Sequence, residues 1–258
     1  MDTRTVTFAS HGYGVLPALL CDKELAFARA LVSDVVSRYR DGDPAAVSVG
    51  VNISDVSQQH PQRNPDVDPD RWKHEPFIIG DLIALDPRFA RLLSLQSIWA
   101  CVAELLECAL GEVVFHFCNL TRKPGEIGPA VGWHRDADNR YFASHDGRTI
   151  RLLIPLQPMS ARNGGTALVP GSHLQTGTDI DTAICPHVPA GAGLALHSAT
   201  LHGSSPNRSA QERDVIVVQF GLRASTLSYQ ANETLSLSSR EGLLDCYRDK
   251  AAQRSTDS

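Results

Sequence analysis

Between residues 22 and 40 the apolar positions Leu25, Ala28, Leu31, Val32, Val35 and Val36 recur at steps of three and four, with Lys, Glu and Arg between them. That period predicts an amphipathic helix, entered from the segment GYGVLPALL. From 41 to 76 the pattern dissolves into Pro, Asp, Asn and Gln (QQHPQRNPDVDPDRWKHEP), so a long loop or lid is expected there rather than a core element. A second helical pattern covers 93 to 110 (LSLQSIWACVAELLECAL), with Gly111 as its expected stop. After Glu112 the texture changes to short β-type runs, VVFHFCNLTR, TIRLLIPLQ, TALVP, GLALHS and DVIVVQFGLR, broken by Gly, Pro and Asn. These elements predict a mainly β fold with N-terminal helices, in one domain spanning 1–258. Its helical part covers about 15–110, its antiparallel β core about 111–225, and a polar, weakly structured tail about 235–258.

Composition fits a soluble globular chain with a sizeable core: 42% of the 258 residues are apolar and 21% charged. A net charge of −5 offers no global basic field for nucleic acid or an anionic membrane. No run reaches the roughly 20 apolar residues needed to cross a bilayer, and MDTRTVTFASHGYG lacks the layout of a secretion signal. The expected partner is a small molecule, with no nucleic acid and no membrane, at a cytoplasmic address. Six scattered cysteines form no C-x-x-C pair and are read as reduced, buried, inert thiols.

The segment GWHRDADNRY places His134 and Asp136 two residues apart, which puts both side chains on one side of an extended chain. An isolated H-x-D triplet is more often a capped turn than a metal site. A third ligand is available in His202 of HSATLHGSSPNRS, just beyond the apolar run GLAL. Two histidines and one carboxylate on one face of a metal leave positions open, the arrangement of non-haem iron(II) oxygenases. Arg213, at the mouth of the β-run DVIVVQF, is expensive to bury unless an anion meets it, and a dicarboxylate would do so through a bidentate pair.

Taken in order, RKPGEIGPAVGWHRDAD, IRLLIPLQPMSARNGGTALVPGSH and AGAGLALHSATLHGSSPNRSAQERDVIVVQFG resemble the phytanoyl-CoA dioxygenase-like iron(II)/2-oxoglutarate oxygenases. The resemblance extends from HGYGVLPALLCDKEL through LLECALGEVVFHF and covers about residues 10–225. It implies a double-stranded β-helix, or jelly roll, with His134, Asp136 and His202 as metal ligands and catalytic centre. It further implies that Arg213, with Ser204 beside it, binds the far carboxylate of 2-oxoglutarate. Fe(II), 2-oxoglutarate and O2 are the implied cofactor and cosubstrates. The implied reaction couples decarboxylation of 2-oxoglutarate to succinate and carbon dioxide with hydroxylation of an unactivated C–H bond in an amino-acid derivative or natural-product intermediate. Desaturation, epimerisation, epoxidation and cyclisation use the same residues. The sequence departs from the family at Gly191-Ala192, where Gly-Asp is frequent, and at Leu152, where an aromatic is frequent.

Arg135, Asp138, Asn139 and Arg140 leave the metal motif directly and are expected as substrate contacts, with plain surface exposure the competing reading. His173 is expected to serve a turn, His116 the core and Asn207 its own turn, and His197 is not expected as a ligand. Trp133 is expected to pack. Polar residues of the 41–76 segment, among them Asn52, Gln58 and Arg63, suggest a small polar or carboxylated substrate. Two readings of other classes stand beside the oxygenase. A cupin-like metal protein would prefer H-x-H followed by Glu, and a non-catalytic binding module would be expected to have lost one of the four key residues.

Overall fold

The protein is described from a computed structural model over residues 3–43 and 51–256. α1 (Thr3–His11) leads into β1 (Tyr13–Leu16), and α2 (Asp22–Arg40) follows. α2 forms where its periodicity predicts, burying Ala28, Leu31, Val32, Val35 and Val36. The Glu24 carboxylate accepts the Cys21 backbone N–H at 2.7 Å and closes the first turn.

The structure corrects three expectations. The polar segment after α2 contains β2 (Ile53–Asp55) and β3 (Pro76–Ile79), which pair antiparallel, and β3 adds itself to the main sheet opposite Leu120 and Thr121. Four apolar residues suffice for this, because Phe77 and Ile79 are fully buried while Ile78 between them is only half-buried. Residues 44–50 of the expected lid lie outside the described residues. Second, the helix expected over 93–110 is shortened to α5 (Gln96–Leu105), and two short helices, α3 (Leu82–Leu85) and α4 (Arg88–Leu93), precede it. α5 stops well before Gly111, at a C-cap where Glu107 takes φ 51°. Its N–H reaches Glu104 O at 3.2 Å and that of Cys108 reaches Ala103 O at 3.1 Å. A glutamate holds the left-handed position, so the glycine rule pointed to the wrong residue. Third, the tail contains α6 (Arg240–Thr256), docked on α4 through the fully buried Leu243, with Arg240 Nε donating to Ser94 O at 2.7 Å. One anchoring leucine in a polar helix leaves almost no periodic signal.

The β core adds β4 (Val113–Lys123), β5 (Val131–His134), β6 (Phe142–Ser144), β7 (Thr149–Pro155), β8 (Thr166–Leu168), β9 (Gly193–His197), β10 (His202–Ser204), β11 (Arg213–Leu222) and β12 (Leu227–Gln230). The main sheet runs β1-β9-β7-β11-β4-β3-β2, a smaller sheet β5-β10-β8, and β12 pairs with β6. The pairings in all three are antiparallel. The fold is a jelly roll with helices against the outer face of its larger sheet.

Alternation along the strands explains how this fold holds a polar site inside an apolar wall. On β11, Ile216, Val218 and Phe220 join the core shared with the helices, while Arg213, Val215 and Val217 line an interior pocket. On β7, Leu152 and Ile154 face the helices, and Arg151 and Leu153 line the pocket. On β4, Cys118 and Leu120 join the helical core, and Asn119 and Thr121 line the pocket. Three adjacent strands thus each turn polar residues inward.

Candidate metal centre

β5 and β10 are antiparallel neighbours whose register sets His134 directly opposite His202. Their ring centroids are 4.3 Å apart. Asp136 opens the 3-10 turn that follows β5, almost fully buried, with its Oδ1 3.6 Å from His134 Nε2 and its Oδ2 3.8 Å from His202 Nε2. One ligand atom from each residue falls within 4.8 Å of the other two. Both imidazoles have their Nδ1 against a carbonyl, Gly132 O at 2.8 Å for His134 and Thr200 O at 2.9 Å for His202. A carbonyl only accepts, so each Nδ1 carries the proton and each Nε2 presents its lone pair to the centre.

Burial pulls the His134 pKa down, but hydrogen bonding to Asp136 and to Gly132 O, together with the Asp136 charge, outweighs it and the net shift is upward. His202 is shifted down, mainly by burial, with Asp136 opposing. Burial raises the Asp136 carboxyl, yet the Arg151 charge and the two histidines overcome this and hold it well below the usual carboxylate range. A divalent cation fits this donor set: two oriented nitrogens and an ionised carboxylate whose buried Oδ2 has no hydrogen-bond partner.

Deeper in the same pocket, of about 160 Å³, Arg213 is 2% exposed. Its Nε has no acceptor, and the Met159 sulfur, 3.6 Å from Nη1, is a poor one. Burial lowers its pKa to about 10, with Asp214 opposing. A guanidinium held this way fits a carboxylate partner. Ser204, also buried, lines the pocket, and its Oγ accepts from Lys123 Nζ at 2.6 Å.

Lys123 was missed in the sequence. It sits opposite Arg213 in the β4–β11 register, is fully buried, and donates also to Ser205 O at 2.5 Å. Burial and then Arg213 drive its amine well below the usual lysine range. Its place eleven residues before His134, at the end of an apolar strand, was the available signal. Arg151 was missed as well, because a single arginine in TIRLLIP reads as the exposed position of an edge strand. Its Nη2 donates to Asp136 Oδ1 at 2.8 Å and its guanidinium lies 4.7 Å over the Phe117 ring.

Arg135 is engaged elsewhere: its guanidinium donates to the backbone carbonyls of Ser172, Ala199 and Gly177. Asp138 and Arg140 are exposed and Asn139 is half-buried, with Arg140 lying over the Tyr229 ring. None of these four residues lines the metal pocket. Trp133, expected to pack, is 38% exposed. His173 ties its turn to α1 through an Nε2 contact with Ala9 O at 3.0 Å, and the His197 ring lies tilted beside it, away from the metal residues. His116 is only half satisfied, its Nδ1 meeting Gln219 while Nε2 has no partner. Asn207 anchors its turn from a fully buried position. All six cysteines are free, but Cys118 alone of them is fully buried and Cys21 is exposed.

A larger cavity of about 570 Å³ adjoins the metal pocket, with Ile78 and Asn119 lining both. Asn52, from the segment expected to act as a lid, lines it together with Phe117, Tyr141, Asp81 and Glu233. Burial and Asp81 push the Glu233 carboxyl up to about 8.

A jelly roll carrying a His-x-Asp pair and a distant histidine on facing strands is the frame of the iron(II)/2-oxoglutarate oxygenases. The chain belongs to the phytanoyl-CoA dioxygenase (PhyH) family, whose model matches residues 8–215. The three converging side chains and the buried Arg213 are donors that the iron(II) and 2-oxoglutarate of such oxygenases would fit. A curated relative, the probable alpha-ketoglutarate-dependent hypophosphite dioxygenase of Stutzerimonas stutzeri, is 29% identical over a stretch covering 46% of this chain. That stretch spans 49%, about half, of the relative's own length. Among solved structures, EctD from S. alaskensis with bound Fe superposes with a TM-score of 0.71 at 18% identity, covering 93% of this chain and 86% of EctD. The carbocyclase SnoK from nogalamycin biosynthesis superposes at 0.68 and 16% identity, covering 90% and 88%. Both share the fold. Among the described residues no helix is long and apolar enough to cross a membrane.

Proposed function

We propose that this enzyme hydroxylates an unactivated C–H bond of a small molecule, an amino-acid derivative or natural-product intermediate, at a centre held by His134, Asp136 and His202. The convergence of those three side chains within 4.8 Å supports the reading most directly. Bound iron(II) would supply oxidation of the substrate driven by oxidative decarboxylation of 2-oxoglutarate.

The chain's own residues define the rest. Gly132 O and Thr200 O keep both imidazoles turned with Nε2 inward, and Arg151 holds Asp136 ionised and in place. Arg213 and Ser204 would receive the far carboxylate of 2-oxoglutarate, with Lys123 donating to Ser204 from behind. The walls formed by Leu153, Val215 and Val217 limit water around these groups. The outer cavity beside Ile78 and Asn119 would take the substrate. The dioxygenase name of the Stutzerimonas relative supports oxygen insertion as the outcome. Six free thiols suit a reducing, cytoplasmic setting.

Succinate released by the iron-loaded protein, with and without candidate substrates, tests the assignment. Release that requires iron(II) and vanishes in His134→Ala and Arg213→Ala supports it; tight zinc retention without 2-oxoglutarate binding overturns it. Products analysed by mass then separate hydroxylation, a gain of one oxygen, from desaturation, cyclisation or epimerisation, which add none.

A further inference from the structure

The pocket's charges do not balance once it is filled. Its charged lining is Asp136, Arg151 and Arg213, with His134 and His202 committed to the metal. A divalent cation and the 2-oxoglutarate dianion cancel each other, so one carboxylate remains against two guanidiniums. Lys123, bonded to Ser204 from outside the lining, is a cation or a neutral amine and so cannot supply the missing negative charge. An uncompensated cation in so enclosed a space is costly, and Arg213 is already assigned to the cosubstrate.

The remaining guanidinium is Arg151. Its Nη2 is spent on Asp136 Oδ1 at 2.8 Å, and its Nε is buried with no acceptor. Phe117, whose ring centroid lies 4.7 Å from the guanidinium carbon, also lines the outer cavity. Arg151 therefore stands between the metal residues and the cavity proposed for the substrate, with donors still to be satisfied. The carboxyls of Asp81 and Glu233, the acidic groups of the outer cavity, do not line this pocket.

We propose that Arg151 is the specificity-determining residue of this site and selects a substrate bearing an anionic group, a carboxylate or a phosphorus oxyanion, which its guanidinium charge in the pocket lining anchors beside the metal. The inference rests on the iron/2-oxoglutarate reading and deepens it by naming the substrate class. Because the same guanidinium bonds Asp136, Arg151 is also a positioning residue for that ligand, and the test separates the two roles.

Hypophosphite, phosphite and acetate serve as probes, titrated calorimetrically under argon into the protein loaded with Fe(II) and 2-oxoglutarate, for wild type, Arg151→Gln and Arg151→Lys. Iron and 2-oxoglutarate affinities are measured on each variant in the same way. The expected result is saturable binding of at least one anion to wild type, weakened about tenfold or more in Arg151→Gln and partly restored in Arg151→Lys. In Arg151→Lys the anion affinity should fall by a larger factor than the iron or 2-oxoglutarate affinity, which separates recognition from positioning of Asp136. Equal anion binding by wild type and Arg151→Gln, or none by wild type, overturns the proposal. So does succinate release stimulated by amides or amines but not by the matching carboxylates. In either case iron and 2-oxoglutarate binding by wild type leaves the dioxygenase reading standing, whereas loss of both would sink that reading instead.

Discussion

Lys123 and Arg213 face each other as register partners on β4 and β11, two basic side chains that are both almost fully enclosed. Antiparallel pairing of two polar strand ends forces the contact, and the structure relieves it unevenly. The lysine is turned onto Ser204 and Ser205 and shifted toward its neutral amine by burial and by Arg213, while the arginine stays charged and short of acceptors. Such an arrangement favours a bound anion over the folded protein's own stability.

Replacing Arg213 with Met should therefore separate stability from function. In the absence of 2-oxoglutarate the melting temperature should rise, reflecting about 1–4 kcal/mol of relieved desolvation. The 2-oxoglutarate concentration needed for half-maximal succinate release should increase at least about thirtyfold. A variant that melts lower and still saturates normally would contradict the assignment.

Asp136 and His134 should differ when removed from the metal-free protein. Asp136→Ala leaves the Arg151 guanidinium without its partner and should cost about 3–5 kcal/mol in urea unfolding. His134→Ala, at a half-buried position, should cost far less. Both should abolish stoichiometric iron retention, read by metal analysis after desalting.

Acid stability should depend on two histidines distant from catalysis. Burial lowers His116 to about 4, with Arg151 adding to the effect, and lowers His197 to about 4, with His173 adding. The unfolded chain takes up these protons near pH 6.5 and the native state only near 4, so each contributes stability that is present above 6.5 and lost as pH falls toward 4. The contribution is up to roughly 3 kcal/mol per residue. Glu233, raised to about 8 by burial and Asp81, acts in the opposite sense and loses its contribution as pH rises from about 4.5 to 8. Chemical denaturation at pH 7, 5.5 and 4.5 should show a shallower acid loss in His116→Leu than in wild type, and Glu233→Gln should flatten the alkaline side.

Asn207 is the cheapest place to disturb the cosubstrate end without touching it. Its buried amide donates to the carbonyls of Lys123, Pro124 and Gln211, and its Oδ1 accepts from Ser209. Asn207→Asp sets a carboxylate among three carbonyls and should cost roughly 2–4 kcal/mol, with unfolding followed by circular dichroism. The affinity for 2-oxoglutarate should fall with it, because the same turn carries Ser204 and Ser205.

The sequence by itself determined α2 and the β core, which rest on local periods, and it pointed to His134, Asp136, His202 and Arg213 through the order of its motifs. It did not determine where α5 stops, since a glutamate took the left-handed cap, nor the helix near the C-terminus, which a single buried leucine docks. Tertiary structure alone decided that β2 and β3 extend the main sheet, that Lys123 stands opposite Arg213, and that Arg151 reaches Asp136. Those contacts join strands far apart in the chain, and their register follows from how the sheet packs, which no local pattern of residues encodes.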